Sequence, residues 1–599
     1  MSLKLKRYFP ILQWLPLYGK ETLASDLLAA VIVTIMLIPQ SLAYAMLAGL
    51  PPEVGLYASI APLFLYAIFG SSRTMAVGPV AVIALMTAAA AGNLAQQGTP
   101  EYITVVLILT FMSGLMLTLM GLVRLGFMAN FLSHPVISGF ITASGLIIAA
   151  SQARHILGLE AEGLNFVTVL YGLISRVPEA HLLTLAIGSG SLIFLYANRR
   201  WGRSLLCLTG LNPHTAGMFS KAAPVLAVVV TTLVTWYWQL DQAGVKVVGD
   251  IPAGLPPFTL PEFIPGLWRD LFLAALLISI VGFVESVTVG QTLAAKQRQR
   301  IDPDQELIAL GTANISSAFS GGMPVSGSFA RSSVNYDAGA ATPATGAFSA
   351  IGILLAALFL TPLIAFLPVA TLGATIIVAV LSLIDLAAIK HTFVYAKSDF
   401  AAMLVTIVAT LTLGVEIGIV AGVGLSLLLF LYRTSRPHYA VIGRLPNSEH
   451  FRNIERHEVE TDDKIALLRI DESLYFANSR YLEDIVMGLV INQPKLNHLV
   501  LTCQAVNLID ASALDSLRTI NSRLKDSGVQ MHLAEVKGPV MDRLRKTDFL
   551  DEMSGVVYMS TYDAWKVLHE RAEEAEDKPE SELKPEAPKA AANSKQGES

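Results

Sequence analysis

Two proline-marked turns carry the most distinctive chemistry in this largely apolar chain. The first is Gly78-Pro79-Val80-Ala81, and the second, 245 positions later from proline to proline, is Met323-Pro324-Val325-Ser326-Gly327. Each lies about fifty residues past an acidic landmark, Asp26-Leu27-Leu28 or Asp270-Leu271-Phe272, and each should open a short small-residue helix, Val80–Thr87 or Ser328–Val334. Helix N-termini leave backbone N–H groups unpaired and carry partial positive charge. Two such ends facing each other at the membrane centre would form an anion site from backbone alone, contributing about 1–2 kcal/mol per end. Prolines that merely kink packed helices are the competing reading. Their pairing in two halves, both flanked by small residues, favours a site.

Side chains nearby fit that chemistry. Arg331, in Gly327-Ser328-Phe329-Ala330-Arg331-Ser332-Ser333, is the only basic residue between Arg300 and Lys390. A charge inside a membrane is costly and is usually functional or paired. Glu285 lies mid-span in the helix that starts near Asp270. Ionised, it would repel the anion that the helix ends attract; protonation or a bound cation would remove the repulsion, a physical reason for cation-coupled import. A purely structural pairing of Glu285 with Arg331 is the alternative. Gln40 and Tyr44 follow Pro39, at the place in the first half that corresponds to Glu285. Pro39 is expected to interrupt its helix, leaving Gln40 to donate a hydrogen bond and Tyr44 to wall the pocket, although ordinary packing would account for either. Glu416 reads as part of an extracellular turn. The 11 histidines show no metal-ligand spacing, and Cys207 and Cys503 are the only cysteines, so neither a metal site nor a disulfide framework is expected. No nucleophile–base pair, cofactor motif or basic–aromatic stripe supports an enzyme or a nucleic-acid binder.

The elements that must hold these residues are membrane helices. The chain of 599 residues is 53% hydrophobic and 15% charged, against roughly 25% charge in soluble proteins, and its mean hydropathy is +0.56. Leu27–Gly49, Val105–Leu122, Val225–Trp238, Leu271–Val289 and Ala402–Leu431 read as apolar spans, set against the about 20 residues that cross a bilayer. Threading fourteen spans from a cytoplasmic start puts Lys4–Lys20, Arg73, Arg124, Arg199–Arg203, Lys296–Arg300, Lys390–Lys397 and Arg433–Arg436 on one side. The opposite loop, Gly92–Glu101, has no Lys or Arg; Arg154, Arg176 and Lys246 are exceptions to the pattern. The start of the chain, with Lys4, Lys6, Arg7, Pro10 and Pro16, does not read as a signal peptide. Four regions follow: a cytoplasmic segment 1–22, a transmembrane domain 23–436, a soluble α/β domain 437–572 and a disordered Glu/Lys/Pro/Ala-rich tail 573–599. The soluble domain should run strand Ile465–Ile470, helix Ser479–Leu489, strand His498–Thr502, helix Ser512–Lys525, strand Gln530–Ala534, helix Pro539–Thr547 and helix Thr561–Arg571.

The runs Pro39-Gln40-Ser41-Leu42-Ala43-Tyr44-Ala45, Pro51-Pro52-Glu53-Val54-Gly55-Leu56-Tyr57 and Gly70-Ser71-Ser72-Arg73 leading to Gly78-Pro79-Val80-Ala81 resemble the signature of the SulP anion transporters. Glu285-Ser286 and Pro324-Val325-Ser326-Gly327-Ser328-Phe329-Ala330-Arg331 agree, and His498–Asp510 with Asp510-Ala511-Ser512-Ala513 resembles the family's STAS domain. The resemblance implies a polytopic α-helical membrane protein with 14 spans as two inverted seven-helix repeats, divided into a core module and a gate module, plus a cytoplasmic STAS domain. It implies elevator-type transport of sulfate with H⁺, or of bicarbonate with Na⁺ or a dicarboxylate with H⁺, by a homodimer in the inner membrane with both termini cytoplasmic. Gln40, Tyr44, Val80, Ala81, Ala330 and Arg331 should line the anion site, with Glu285 coupling the cation. Where some relatives carry Ser, this chain has Ala330, so Ser328 or Ser332 is expected to supply the missing hydrogen bond. Ser512 matches a phosphorylated position of related STAS domains, although the motif Asp-Ser-Ser-Gly is degraded here to Asp-Ala-Ser-Ala; a cytoplasmic regulator could act there.

Overall fold

The structure is a computed structural model. It describes residues 8–576 apart from 132, 160–165, 211, 213–215, 218–219, 221–222 and 250–253, and 382–383. The basic start at Lys4, Lys6 and Arg7 and most of the expected disordered tail, from 577 on, lie outside the described residues. Two compact units result, 1–426 and 427–599.

Seven helices among the described residues are long and apolar enough to cross a membrane, including Lys20–Leu47, Pro100–Leu122, His134–Leu157 and Pro265–Lys296 in the first unit. The same order of elements occurs twice. A long helix and a second helical segment are followed by a two-residue strand and a short helix. In the first half these are Lys20–Leu47, Pro52–Phe69, β1 (Val77–Gly78) and Ala81–Gly92. In the second they are Pro265–Lys296, Pro303–Phe319, β2 (Ser326–Gly327) and Phe329–Asp337. These helices pack with Pro100–Leu122 and Ala344–Phe359 into one group. The helices His134–Leu157, Leu182–Ala197, Val369–Val380 and Lys397–Leu413 pack chiefly among themselves as another.

Glycine sets the closest approaches. A Cβ on Gly114 would lie 2.6 Å from the Ile315 backbone nitrogen, and one on Gly311 would lie 2.6 Å from that of Thr118. The helices Pro100–Leu122 and Pro303–Phe319 therefore touch backbone to backbone, as small residues permit in membranes.

Two expectations are corrected. Pro39 does not interrupt its helix, which is continuous from Lys20 to Leu47; a proline removes one backbone hydrogen bond, and buried neighbours hold the rest of the turn. The apolar run Ala402–Leu431 is not a single span. It breaks at Gly414, whose φ of +105° ends the helix Lys397–Leu413 before Val415–Ser435 begins. Glu416 stands in the first turn after that break.

The second unit is built on a six-stranded sheet in the order β4-β3-β5-β6-β7-β8. Strands β5 (Ile465–Ile470), β6 (His498–Thr502), β7 (Gln530–Ala534) and β8 (Val557–Tyr558) run parallel, with β3 (Tyr439–Arg444) and β4 (Phe451–Asn453) added antiparallel. Helices Ser479–Asn492 and Ala511–Asp526 close one face through Leu482, Val486, Leu517 and Leu524. The helix Thr561–Glu576 covers the other through Ala564, Trp565 and Leu568. Strands β5, β6 and β7 lie where the sequence puts them. β3, β4 and β8 were not anticipated; β4 and β8, of three and two residues, are too short for an alternating pattern.

Candidate functional site at two broken helices

The two proline turns meet. β1 and β2 form an antiparallel ladder in which Val77 pairs with Gly327 and Gly78 with Ser326, and Ser328 N–H extends it to the Ala76 carbonyl at 3.1 Å. Helix Ala81–Gly92 starts from Val80 without a side-chain cap. Helix Phe329–Asp337 starts from Ser328, whose hydroxyl accepts weakly from Arg331 N–H at 3.5 Å. Two helix N-termini thus begin beside one short ladder. That geometry gathers unpaired backbone N–H groups and their partial positive charge in one place.

Neighbouring helices fix the turns. Asn314 grips Val325 twice, accepting from its N–H and donating to its carbonyl, both at 2.9 Å. Ser317 donates to the Met323 carbonyl at 2.6 Å. Ser286 accepts from Gly327 N–H at 2.8 Å and lies 3.0 Å from the Ser326 hydroxyl. Across the ladder, Ala76 N–H donates to Ser332 Oγ at 2.9 Å and Asn335 donates to the Thr74 carbonyl at 3.0 Å.

Arg331 sits at the centre, 1% exposed. Its Nη1 donates to the Pro79 carbonyl at 2.9 Å and to Gln40 Oε1 at 3.4 Å, reaching from the second broken helix to the first. Its Nε and Nη2 are buried without a hydrogen-bond partner among the described residues. A buried guanidinium with two unpaired donor nitrogens is costly unless an anion meets it. Gly78 makes room for it: a Cβ there would be 3.3 Å from Nη2, at a φ of +155°.

The other residues expected at the site are distributed as follows. Tyr44 and Glu285 both lie within electrostatic reach of Arg331; Tyr44 is buried and Glu285 half-buried. The guanidinium bonds to Pro79 and Gln40 and makes no ion pair with Glu285 among the described contacts. Gln40 accepts rather than donates in this arrangement. Val80 and Ala81 are buried at the start of their helix, and Ala330 is exposed on the first turn of the other. Of the two serines considered as substitutes for a hydroxyl at Ala330, Ser332 is fully buried and bonded to Ala76, whereas Ser328 is half-buried at the helix cap. Ser512 belongs to the other unit, exposed on the first turn of Ala511–Asp526 beside the cap residue Asp510, which accepts from Ala513 N–H at 2.8 Å and Phe476 N–H at 2.9 Å.

Two buried carboxylates, Glu306 and Asp26, have structural roles that the sequence did not reveal, although Asp26 stands out there as a landmark. Glu306 accepts from Ser71 N–H (2.8 Å), Ser71 Oγ (2.6 Å), Ser72 N–H (2.9 Å) and Tyr66 OH (2.8 Å), fixing the Gly70–Arg73 turn ahead of β1. Asp26 accepts from Ala341 and Thr342 N–H at 2.8 and 3.1 Å, and from Thr345 Oγ1 at 2.9 Å, tying the first helix to the start of Ala344–Phe359. Its counterpart by spacing, Asp270, is instead exposed beside Arg269. Glu306 lies in the acidic run Asp302-Pro303-Asp304-Gln305-Glu306, which in sequence looks like a solvated loop.

The model of the sulfate permease family matches residues 23–406, and that of the STAS domain matches residues 456–564. The chain belongs to the sulfate permease family. Sulfate transporter 4.1, chloroplastic, of Arabidopsis thaliana is 35% identical over 541 residues, covering 88% of this chain and 77% of that protein. High affinity sulfate transporter 2 of Stylosanthes hamata is 30% identical over 583 residues, covering 94% and 86%. Among solved structures, the murine anion transporter Slc26a9 in an inward-facing state superposes with a TM-score of 0.86 over 96% of this chain and 95% of its own, at 23% identity. The transmembrane domain of the cyanobacterial bicarbonate transporter BicA gives 0.58 over 68% and 99%, at 21% identity. The fold is therefore that of a multi-pass membrane permease with a C-terminal STAS domain.

Proposed function

We propose that this permease is a secondary active transporter of small inorganic anions, foremost sulfate, imported together with H⁺. The observation that carries the reading is Arg331, buried between two helix N-termini with Nε and Nη2 unpaired. The names of its relatives among the sulfate transporters support the choice of anion. Gln40, Tyr44, Val80, Ala81 and Ala330 would line the site, and the helix ends and guanidinium would bind the anion together.

Glu285 supplies the coupling in this reading. Ionised, it opposes the field of Arg331 and the helix ends; protonated, it lets the anion bind, so anion and proton travel as a set. Transport would follow when the group of helices carrying the ladder moves against the other group, in the manner of an elevator. The same proposal places both termini in the cytoplasm, the protein in the inner membrane as a homodimer, the domain limits at 23, 437 and 573, and a regulatory contact at Ser512.

Radiolabelled sulfate uptake into proteoliposomes under an inward H⁺ gradient without Na⁺ tests it. Accumulation above equilibrium is expected. Glu285→Gln should retain sulfate binding and lose the dependence on the pH gradient, and unchanged coupling in that variant removes Glu285 from the mechanism. Uptake only with Na⁺ and bicarbonate, or only of a dicarboxylate, would replace the substrate.

A further inference from the structure

Residues 254–264 form an irregular strap that leads into the helix Pro265–Lys296. Glu262 is the only charged residue between Asp250 and Arg269. Pro256, Pro257, Pro261 and the helix's own Pro265 have no N–H to donate. The strap is held at several points. Thr259 N–H donates to the Phe319 carbonyl at 2.9 Å, and Thr259 Oγ1 accepts from Gly321 N–H at 3.1 Å. Trp268 Nε1 donates to the Glu262 carbonyl at 3.2 Å. Aromatic rings continue the attachment: Phe258 stacks on Phe319, Phe319 meets Phe111 edge-on, and Trp268 meets both Phe111 and Phe263. Yet the apolar side chains turn outward, and Leu255, Phe258, Leu260 and Phe263 are 68–78% exposed. A row of large apolar groups fixed at a surface marks a face that something apolar covers.

Helix lengths give the level of the strap in the membrane. Asp304 Oδ1 accepts from Gly126 N–H at 2.9 Å, and Gly121 lies against Ile308, so Pro303–Phe319 and Pro100–Leu122 share one end. Arg124 and Arg300 flank that end and mark the membrane edge. Phe319 stands 16 residues beyond Pro303, about 24 Å at a rise of about 1.5 Å per residue, in a hydrocarbon core about 30 Å thick. The strap pinned to Phe319 is therefore on the order of 5 Å inside the opposite boundary, on the side of the loop 92–101, and interfacial segments lie about 5–10 Å deep. Pro256, Pro257 and Phe258 also line a groove of about 580 Å³ with Leu65, Ile315 and Phe319. Ile315 is one helical turn from Phe319 on the side of the bilayer middle, so the groove runs inward from the strap.

We infer that the strap is a lipid anchor. A phospholipid of that leaflet rests against Leu255, Phe258, Leu260 and Phe263 and lays an acyl chain in the groove. A proline-rich backbone suits this place, because lipid offers no partner to an N–H. Through Thr259 the strap is fastened to Phe319 and Gly321, close before the turn at Met323-Pro324. Lipid thereby grips the helix group that carries the ladder, whichever ion that group binds.

The test has two arms. Full-length protein with Cys207→Ser and Cys503→Ala, in phosphatidylcholine vesicles, carries a nitroxide at Phe258→Cys, Leu260→Cys or Phe263→Cys, with the exposed loop position Asn93→Cys as the aqueous control. Spin relaxation by oxygen, which partitions into hydrocarbon, is compared with relaxation by a nickel chelate confined to water. The oxygen-to-nickel ratio at the strap should exceed that at Asn93 several-fold. A ratio equal to that at Asn93 puts the strap in water, and exclusion of both reagents puts it under protein, such as a second copy of the chain; either overturns the anchor. The second arm uses the parent protein with phosphatidylcholine bearing a diazirine on its acyl chain. Photo-cross-links should fall in the tryptic peptide 247–269, and Phe258→Asp with Leu260→Asp should lower their yield several-fold relative to cross-links on Val415–Ser435. An unaltered yield, or cross-links on that span which spare the peptide, overturns the anchor. Both arms read out whether or not the protein moves sulfate.

Discussion

Replacing Arg331 by Ala separates binding from folding. In the structure its Nη1 is engaged by Pro79 and Gln40, while Nε and Nη2 are buried without partners. A bound oxyanion would take up those donors in charge-assisted hydrogen bonds, worth about 1.5–3 kcal/mol each. Two at the lower end sum to about 3 kcal/mol, on the order of a hundredfold in affinity. A unit charge at about 4 Å in an effective dielectric near 20 gives a Coulomb attraction of about 4 kcal/mol before desolvation, consistent with that size. Equilibrium binding of radiolabelled sulfate to purified protein should therefore weaken at least about a hundredfold in Arg331→Ala. Arg331→Lys, which keeps the charge and loses the fork, should fall between. Heat stability without anion should be unchanged or higher, since a partly unpaired buried charge is itself a cost. A monodisperse Arg331→Ala protein that binds sulfate within about threefold of the parent (under 1 kcal/mol) would refute the reasoning.

Three other outcomes are expected. Glu306→Ala leaves buried donors of Ser71, Ser72 and Tyr66 unpaired, at about 1–3 kcal/mol each; size-exclusion profiles after heating should show a lower melting temperature, and Glu306→Gln should be milder. Gly78→Ala puts a methyl group 3.3 Å from Arg331 Nη2 at a φ of +155°; strain of about 1–3 kcal/mol should weaken sulfate binding about 5- to 100-fold, and an unaltered Kd would show that the ladder yields. In the STAS domain, burial and then the His498 charge push His532 down to about 4 from 6.5. Because the folded state resists protonation, its stability should be full above about 6.5 and decline as pH falls toward 4. Hydrogen exchange of β7 in the full chain should report that slope, and His532→Asn should flatten it.

Much of the candidate site's geometry was legible in the sequence because the residues that form it break local rules. Pro79 and Pro324 interrupt apolar runs, and Arg331 is a lone charge among small residues; no packing requirement places such residues there. The limits of the broken helices shifted by one residue at the start, to Ala81 and Phe329, since Val80 and Ser328 serve as caps. What the sequence hid was the support. Asn314, Ser286 and Ser317 act through hydrogen bonds to backbone brought near by the fold, and nothing in their own neighbourhoods predicts those partners. Pro39 misled for the converse reason: its local signal is helix-breaking, and tertiary packing overrides it. Gly414 divides a run that reads by composition as one apolar span, although Glu416 beside it already reads as a turn.

The two-residue ladder also sets an order of events during synthesis. Val77 must wait for Gly327, 250 residues later. At roughly 5–20 residues per second, that interval is on the order of 10–50 s. Until then the first broken helix has exposed backbone groups and neither Arg331 nor Asn314 nearby. A nascent chain halted before β2 therefore holds half of the candidate site without its partner strand. The candidate site is completed late and at once, when the second turn closes on the first.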